Sequence, residues 1–98
     1  MPGRLDGKSV IITGASSGQG RVAAQRFAEE GARLVLADKD DAGLAETDAL
    51  IRSIGAEVAL YSADLTQEAG NQAMVALAVK SYGGLDAIYT PAGLVKFA

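Results

Sequence analysis

One short segment, Thr13-Gly14-Ala15-Ser16-Ser17-Gly18-Gln19-Gly20, concentrates residues suited to holding an anion. The apolar run Val10–Thr13 precedes it and a helical pattern follows, so the glycines fall in a strand-to-helix turn. Gly14 permits a sharp turn off the strand, where φ is free to be positive. Gly18 removes a Cβ where backbone has to approach a pyrophosphate, and Gly20 lets the helix pack closely on the sheet. The unpaired N–H groups of the first helical turn, with the helix dipole, favour a phosphate there. Ser16 and Ser17 add hydroxyls at the rim, and Gln19 sits between the last two glycines. The plain alternative is a glycine-rich turn with no ligand. No GxxxxGK[ST] occurs, which excludes a P-loop nucleotide hydrolase.

Two acids extend the pattern. Asp38 ends the second apolar run, eighteen residues beyond Gly20. A carboxylate there accepts from both ribose hydroxyls of an adenosine and repels a 2′-phosphate, favouring NAD over NADP; adjacent Lys39 softens that preference. The competing reading is a solvated Asp capping the second helix. Asp64 follows the third run. It either accepts from the exocyclic amine of adenine, with Leu65 packed on the ring, or caps the third helix. Ala92-Gly93, after the fourth run, is a small pair that permits close approach of the cofactor's middle.

What is missing narrows the chemistry further. The 98 residues contain neither Cys nor His, so disulfides, thiolate nucleophiles, His triads and His- or Cys-ligated metals are excluded within this chain. Nine Lys and Arg against twelve Asp and Glu leave a net charge of −3, which argues against a nucleic-acid platform or a polybasic membrane anchor. The longest apolar run falls far short of a membrane span. The polar N-terminus lacks the apolar stretch of a secretory signal, so the cytosol is the expected compartment.

The elements that have to position these residues alternate along the chain. Strands are expected at Val10–Thr13, Leu34–Ala37, Val58–Tyr61 and Ala87–Thr90, as near-continuous apolar runs typical of a sheet buried on both faces. Helices are expected at Gly18–Glu30, with Val22, Ala23 and Phe27 inward; at about Asp41–Ser53, with Leu44, Leu50, Ile51 and Ile54 inward; and at about Gln67–Tyr82, with Met74, Leu77, Ala78 and Ser81 inward. Asp40 or Asp41 caps the second helix, and Gly31, Gly55 and Gly83 stop the three in turn. The result is a single α/β domain over residues 1–98: a parallel doubly wound (Rossmann) sheet, partial, with four strands in order 3-2-1-4 and three helices.

Together these residues resemble the short-chain dehydrogenase/reductase family. Its Thr-Gly-x-x-x-Gly-x-Gly loop is matched by Thr13 to Gly20, its acid ending the second strand by Asp38, and its Asp-Leu after the third strand by Asp64-Leu65. Gly83-Gly84-Leu85-Asp86-Ala87-Ile88 resembles the run into the family's fourth strand. The resemblance covers essentially the whole chain. It implies an NAD-binding oxidoreductase portion, in which complete members move hydride between the cofactor and an alcohol or carbonyl while a Tyr helped by a Lys handles the proton.

Two departures stand out. The family's Asn-Asn-Ala-Gly is here Thr90-Pro91-Ala92-Gly93; Thr90 takes the place of the Asn that helps fix the central strand, and Pro91 has no N–H to give. No tyrosine has a Lys four residues later: Tyr61 is followed by Leu65, Tyr82 by Asp86 and Tyr89 by Gly93. The implied catalytic Ser, Tyr-x-x-x-Lys and Asn lie beyond residue 98, so no catalytic residue is assigned and the chain is expected to be inactive alone. A non-enzymatic reading stands beside this one: self-association through an exposed fourth-strand edge and an uncovered sheet face. A methyltransferase-like domain for S-adenosylmethionine is the weaker third reading.

Overall fold

The computed structural model describes residues 5–16, 18–62, 68–90 and 93–96. Its elements run β1 (Ser9–Thr13), α1 (Gly18–Glu29), β2 (Arg33–Asp38), α2 (Asp41–Ile54), β3 (Val58–Ser62), α3 (Glu68–Tyr82), β4 (Ala87–Thr90) and β5 (Gly93–Lys96). The sheet order is β3-β2-β1-β4-β5. β1 pairs in parallel with both β2 and β4, and β2 in parallel with β3. This is the four-stranded parallel 3-2-1-4 arrangement with three helices.

β5 is the departure. It pairs antiparallel with β4, Ala87 opposite Lys96 and Thr90 opposite Gly93. The expected free edge of the fourth strand is therefore corrected: β4 has hydrogen-bonded neighbours on both sides. The physical reason is that an unpaired row of N–H and C=O groups is relieved by any nearby segment able to extend beside it.

Successive residues of the central strands point to opposite faces, so each strand supplies two cores. On one side Val10, Ile12, Leu34 and Leu36 pack with Ala24 and Ala28 of α1 and Leu44 and Ile51 of α2. On the other, Ile11, Val35 and Ala37 meet Met74 and Ala78 of α3. Ile11, Ile12, Leu34, Val35 and Leu36 are wholly buried.

The helical faces differ from expectation at single positions. In α1 the stripe is Gly20, Ala23, Ala24 and Ala28, and Val22 is 56% exposed. A helix built of small residues sits close to the sheet, and Val22 falls off that stripe. In α2, Thr47 is buried while Ile54, in the last turn, is exposed. In α3, Ser81 is exposed and Tyr82 turns inward instead, its hydroxyl donating to the Leu34 carbonyl at 2.7 Å. Asp40 caps α2 by accepting from the Gly43 N–H, and Gly31, Gly55 and Gly83 have positive φ as the three helices end.

Candidate functional site

β1 delivers the glycine loop to the carboxyl end of the sheet, beside β2 and β4. Gly14 has φ +66°, and the next N–H, that of Ala15, donates to the Ala37 carbonyl at 3.2 Å, tying the loop to β2. Thr13 Oγ1 donates to the Tyr89 carbonyl at 3.2 Å, tying it to β4. Gly20 lies directly on the turn: a Cβ there would sit 2.0 Å from the Gly14 carbonyl oxygen. The third glycine thus serves packing of α1 against the loop more than against the sheet itself.

Gly18 is different. It opens α1 at φ +57°, and a Cβ added there would meet nothing within 4 Å. Its missing side chain leaves space beside the first turn of α1, a turn that carries no acidic residue. A helix start with open access and no acidic residue in its first turn is where an anion is favoured. Gly18, Gln19, Val22, Ala23 and Tyr89 line an open cavity of about 470 Å³ alongside.

Asp38, at the end of β2, faces the same loop. Its Oδ2 accepts from the Ser16 hydroxyl at 2.7 Å and the Ser16 N–H at 3.2 Å, and its Oδ1 accepts from the Lys39 N–H at 2.7 Å. Partial burial pushes its carboxyl upward, but the bonds from Ser16, Lys39 and Asp40 outweigh that and hold it below its ordinary value. Asp38 is therefore ionised at neutral pH and oriented. It does not cap α2, because Asp40 does. Ser16, expected as a rim hydroxyl, is buried and turned onto Asp38.

A second layer holds this pair. Arg21 Nε donates to Thr47 Oγ1 at 2.9 Å, and its Nη2 donates to the carbonyls of Ser16 and Gly43. Thr47 Oγ1 lies 2.7 Å from the Ala15 carbonyl oxygen, to which it donates. Arg21, Gly43 and Thr47 stand outside the expected site set. The one sequence signal among them is Gly43 itself, a glycine inside a helix; nothing in the sequence marks Arg21 or Thr47.

Gly14, Ser16, Gly18, Gln19, Gly20 and Asp38 thus share one corner. Thr90 and Gly93 face each other across the β4–β5 pair, one strand over from the loop. Ser17, Asp64, Leu65 and Ala92 lie outside the described residues, as does Pro91. The donor set of the corner suits a phosphorylated nucleoside: an open helix start for phosphate, and an ionised carboxylate for hydroxyls.

Comparison with known proteins gives the family. A family model described as short chain dehydrogenase matches residues 8–98. The 2,5-dichloro-2,5-cyclohexadiene-1,4-diol dehydrogenase LinX of Sphingobium indicum is 38% identical over 95 residues, covering 97% of this chain and 38% of that enzyme. Glucose 1-dehydrogenase of Gluconobacter oxydans is 40% identical over 91 residues, covering 92% of this chain and 34% of that enzyme. Among solved structures, NAD+-bound xylitol dehydrogenase superposes with a TM-score of 0.83 at 32% identity, over 87% of this chain and 33% of that one. The chain spans 33–38% of the length of these relatives.

Proposed function

The chain belongs to the short chain dehydrogenase family of oxidoreductases, and from that premise we propose that its glycine loop and Asp38 bind the adenosine diphosphate half of a nicotinamide dinucleotide, NAD in preference to NADP. The observation that carries this reading is the Ser16–Asp38 contact at 2.7 Å: it sets an ionised carboxylate beside a loop whose Gly18 faces open space. The first turn of α1 would receive the pyrophosphate, and Asp38 would accept from the ribose hydroxyls while repelling a 2′-phosphate. Lys39 next to it moderates that repulsion. When bound, the cofactor supplies a hydride acceptor or donor for an alcohol or carbonyl substrate. The role of the loop and Asp38 in that exchange is to bind and orient the cofactor. The NAD+ in the xylitol dehydrogenase neighbour supports the cofactor class, and the diol and sugar named for the relatives support an alcohol as substrate class.

Calorimetry with NAD, NADP, ADP-ribose and S-adenosylmethionine tests the reading. NAD and ADP-ribose are expected to bind, NADP more weakly, and S-adenosylmethionine not at all. Absence of binding by both NAD and ADP-ribose at millimolar concentration overturns it.

Self-association is the second reading. Leu60 on the edge strand β3 is 41% exposed and Val79 on α3 is 49% exposed, so apolar side chains face outward on that edge strand and on that helix. Sedimentation over a range of concentrations separates a dimer from a monomer. Among the described residues no helix is long and apolar enough to cross a membrane. The cytosol remains our proposed compartment, from the polar character of the first residues.

A further inference from the structure

We propose that Arg21 is a positioning residue for ribose recognition, which sets the Ser16–Asp38 contact from behind by tying the Ser16 carbonyl to α2. This deepens the dinucleotide reading and rests on it.

Three elements meet at Ser16. From α1, Arg21 Nη2 donates to the Ser16 carbonyl and, at 3.2 Å, to the Gly43 carbonyl. From α2, Gly43 presses on the same residue: a Cβ at position 43 would lie 2.6 Å from Ser16 Cβ and 2.8 Å from its carbonyl oxygen. One turn along, Thr47 closes the network. Its hydroxyl donates to the Ala15 carbonyl at 2.7 Å, the nearer of two acceptors with the Gly43 carbonyl at 3.2 Å, and its oxygen receives Arg21 Nε at 2.9 Å. Thr47 is fully buried, so no water competes for that hydroxyl. Arg21 has no carboxylate within ion-pair distance among the described residues; its bonds go to carbonyls and a hydroxyl. A fixed guanidinium fork gathering two carbonyls and a hydroxyl is an orienting device, which a flexible ammonium does not reproduce.

The consequence runs through Ser16. Its hydroxyl and N–H both end on one oxygen of Asp38. The Lys39 N–H holds Oδ1 and Ser16 holds Oδ2, so one of the two anchors of Asp38 takes its place from Arg21, Gly43 and Thr47. Loosening Arg21 leaves the carboxylate on its Lys39 anchor alone and blunts its selectivity for a ribose hydroxyl before it unmakes the fold.

The test compares ADP with 2′-deoxy-ADP, which differ only by the hydroxyl that Asp38 would accept from. The wild-type chain is expected to prefer ADP by about ten-fold, the scale of one charge-assisted hydrogen bond. In Arg21→Met, Arg21→Lys and Thr47→Val that ratio is expected to fall toward one, while Thr47→Ser, which keeps the hydroxyl, restores it. Melting temperature is read in parallel. If both nucleotides weaken in proportion and the ratio persists, Arg21 is merely structural and the proposal is overturned with the dinucleotide reading intact. If the wild type itself fails to prefer ADP, the reading of Asp38 falls, and the proposal with it. Should Arg21→Met not fold, Arg21→Lys and Thr47→Val carry the same measurement.

Discussion

The two ends of the parallel sheet use the same chemistry to different effect. At the carboxyl end Asp38 gathers N–H and hydroxyl groups, and Arg21 gathers carbonyls. At the amino end Asp86 accepts the Ser9 N–H at 2.8 Å, and Arg33 donates to the carbonyls of Gly7 and Tyr82 at 2.9 and 3.2 Å while its guanidinium lies 5.1 Å from the Tyr82 ring centre. The amino end also has a cleft of about 320 Å³, but Asp6, Arg33 and Glu57 line it with both signs of charge, and Arg33 already serves two carbonyls and a ring. The carboxyl end keeps open space at Gly18 beside an oriented carboxylate of one sign. The amino end turns most of its polar groups onto itself, with Ser9 Oγ and Arg33 Nε buried without a hydrogen-bond partner among the described residues. The carboxyl end differs in setting an oriented carboxylate beside its open space.

The largest expected effect separates two glycines of one loop. Gly20→Ala drives a Cβ into the Gly14 carbonyl oxygen, 2.0 Å away, with backbone on both sides unable to yield. Overpacking of this kind is expected to destabilise by about 3 kcal/mol or more. Gly18→Ala meets no atom within 4 Å and carries only the strain of φ +57°, about 1–2 kcal/mol. Its main loss is expected in nucleotide affinity. Urea denaturation and calorimetry on the two variants distinguish them; equal stability losses would erase the contrast between packing and binding glycines.

That contrast was only partly legible in the sequence. Strand positions followed from apolar runs, and β1 to β4 lie within a residue of expectation; β1 and β2 are buried on both faces, while β3 and β4 keep the apolar run though partly exposed. The helix stops were legible as glycines. β5 was not, since Gly93–Lys96 is four residues long and pairs only because β4 offers an edge. Val22 misled because apolar character implies burial, whereas the small stripe Gly20, Ala24 and Ala28 set the packed face. Arg21 and Thr47 were silent because polar side chains in helices read as solvated until their tertiary acceptors are known.

Removing the carboxylate at each end is the next largest contrast. Asp86→Asn weakens the charge-assisted bond to the Ser9 N–H and is expected to lower stability by about 2 kcal/mol, leaving ADP-ribose affinity within two-fold, about 0.4 kcal/mol. Asp38→Asn is expected to lower ADP-ribose affinity about ten-fold with a smaller stability loss. A double-mutant cycle should be additive, because the two groups sit at opposite ends of the sheet. Binding loss in Asp86→Asn would mean the ends are coupled. At the amino end Tyr82→Phe loses one bond to the Leu34 carbonyl, expected at about 1 kcal/mol in thermal melting.

The smallest effect distinguishes the ends by pH. Burial, reinforced by Glu57 and opposed by Arg33 and Arg52, raises the Tyr82 phenol above its ordinary value. A raised folded value means the folded state keeps its proton longer, so stability from Tyr82 is complete below the unfolded value and lost as pH rises through the folded one. Asp38 runs the other way. Burial pushes its carboxyl up, but the hydrogen bonds from Ser16, Lys39 and Asp40 bring it below the unfolded value. Between the two values the unfolded chain binds more protons, so stability there rises with pH. Its contribution is complete above the unfolded value and lost as pH falls through the folded one. Asp38 is solvent-accessible enough that the amplitude is small, and the signature is its sign and its position. Denaturation midpoints of wild type and Asp38→Asn should converge as acid is added, whereas those of wild type and Tyr82→Phe should converge toward alkaline pH. An acid-side gap between wild type and Asp38→Asn that stayed constant to the lowest pH would mean that the Ser16 bonds do not depend on the charge of Asp38, and the carboxyl end would then be as inert as the amino end.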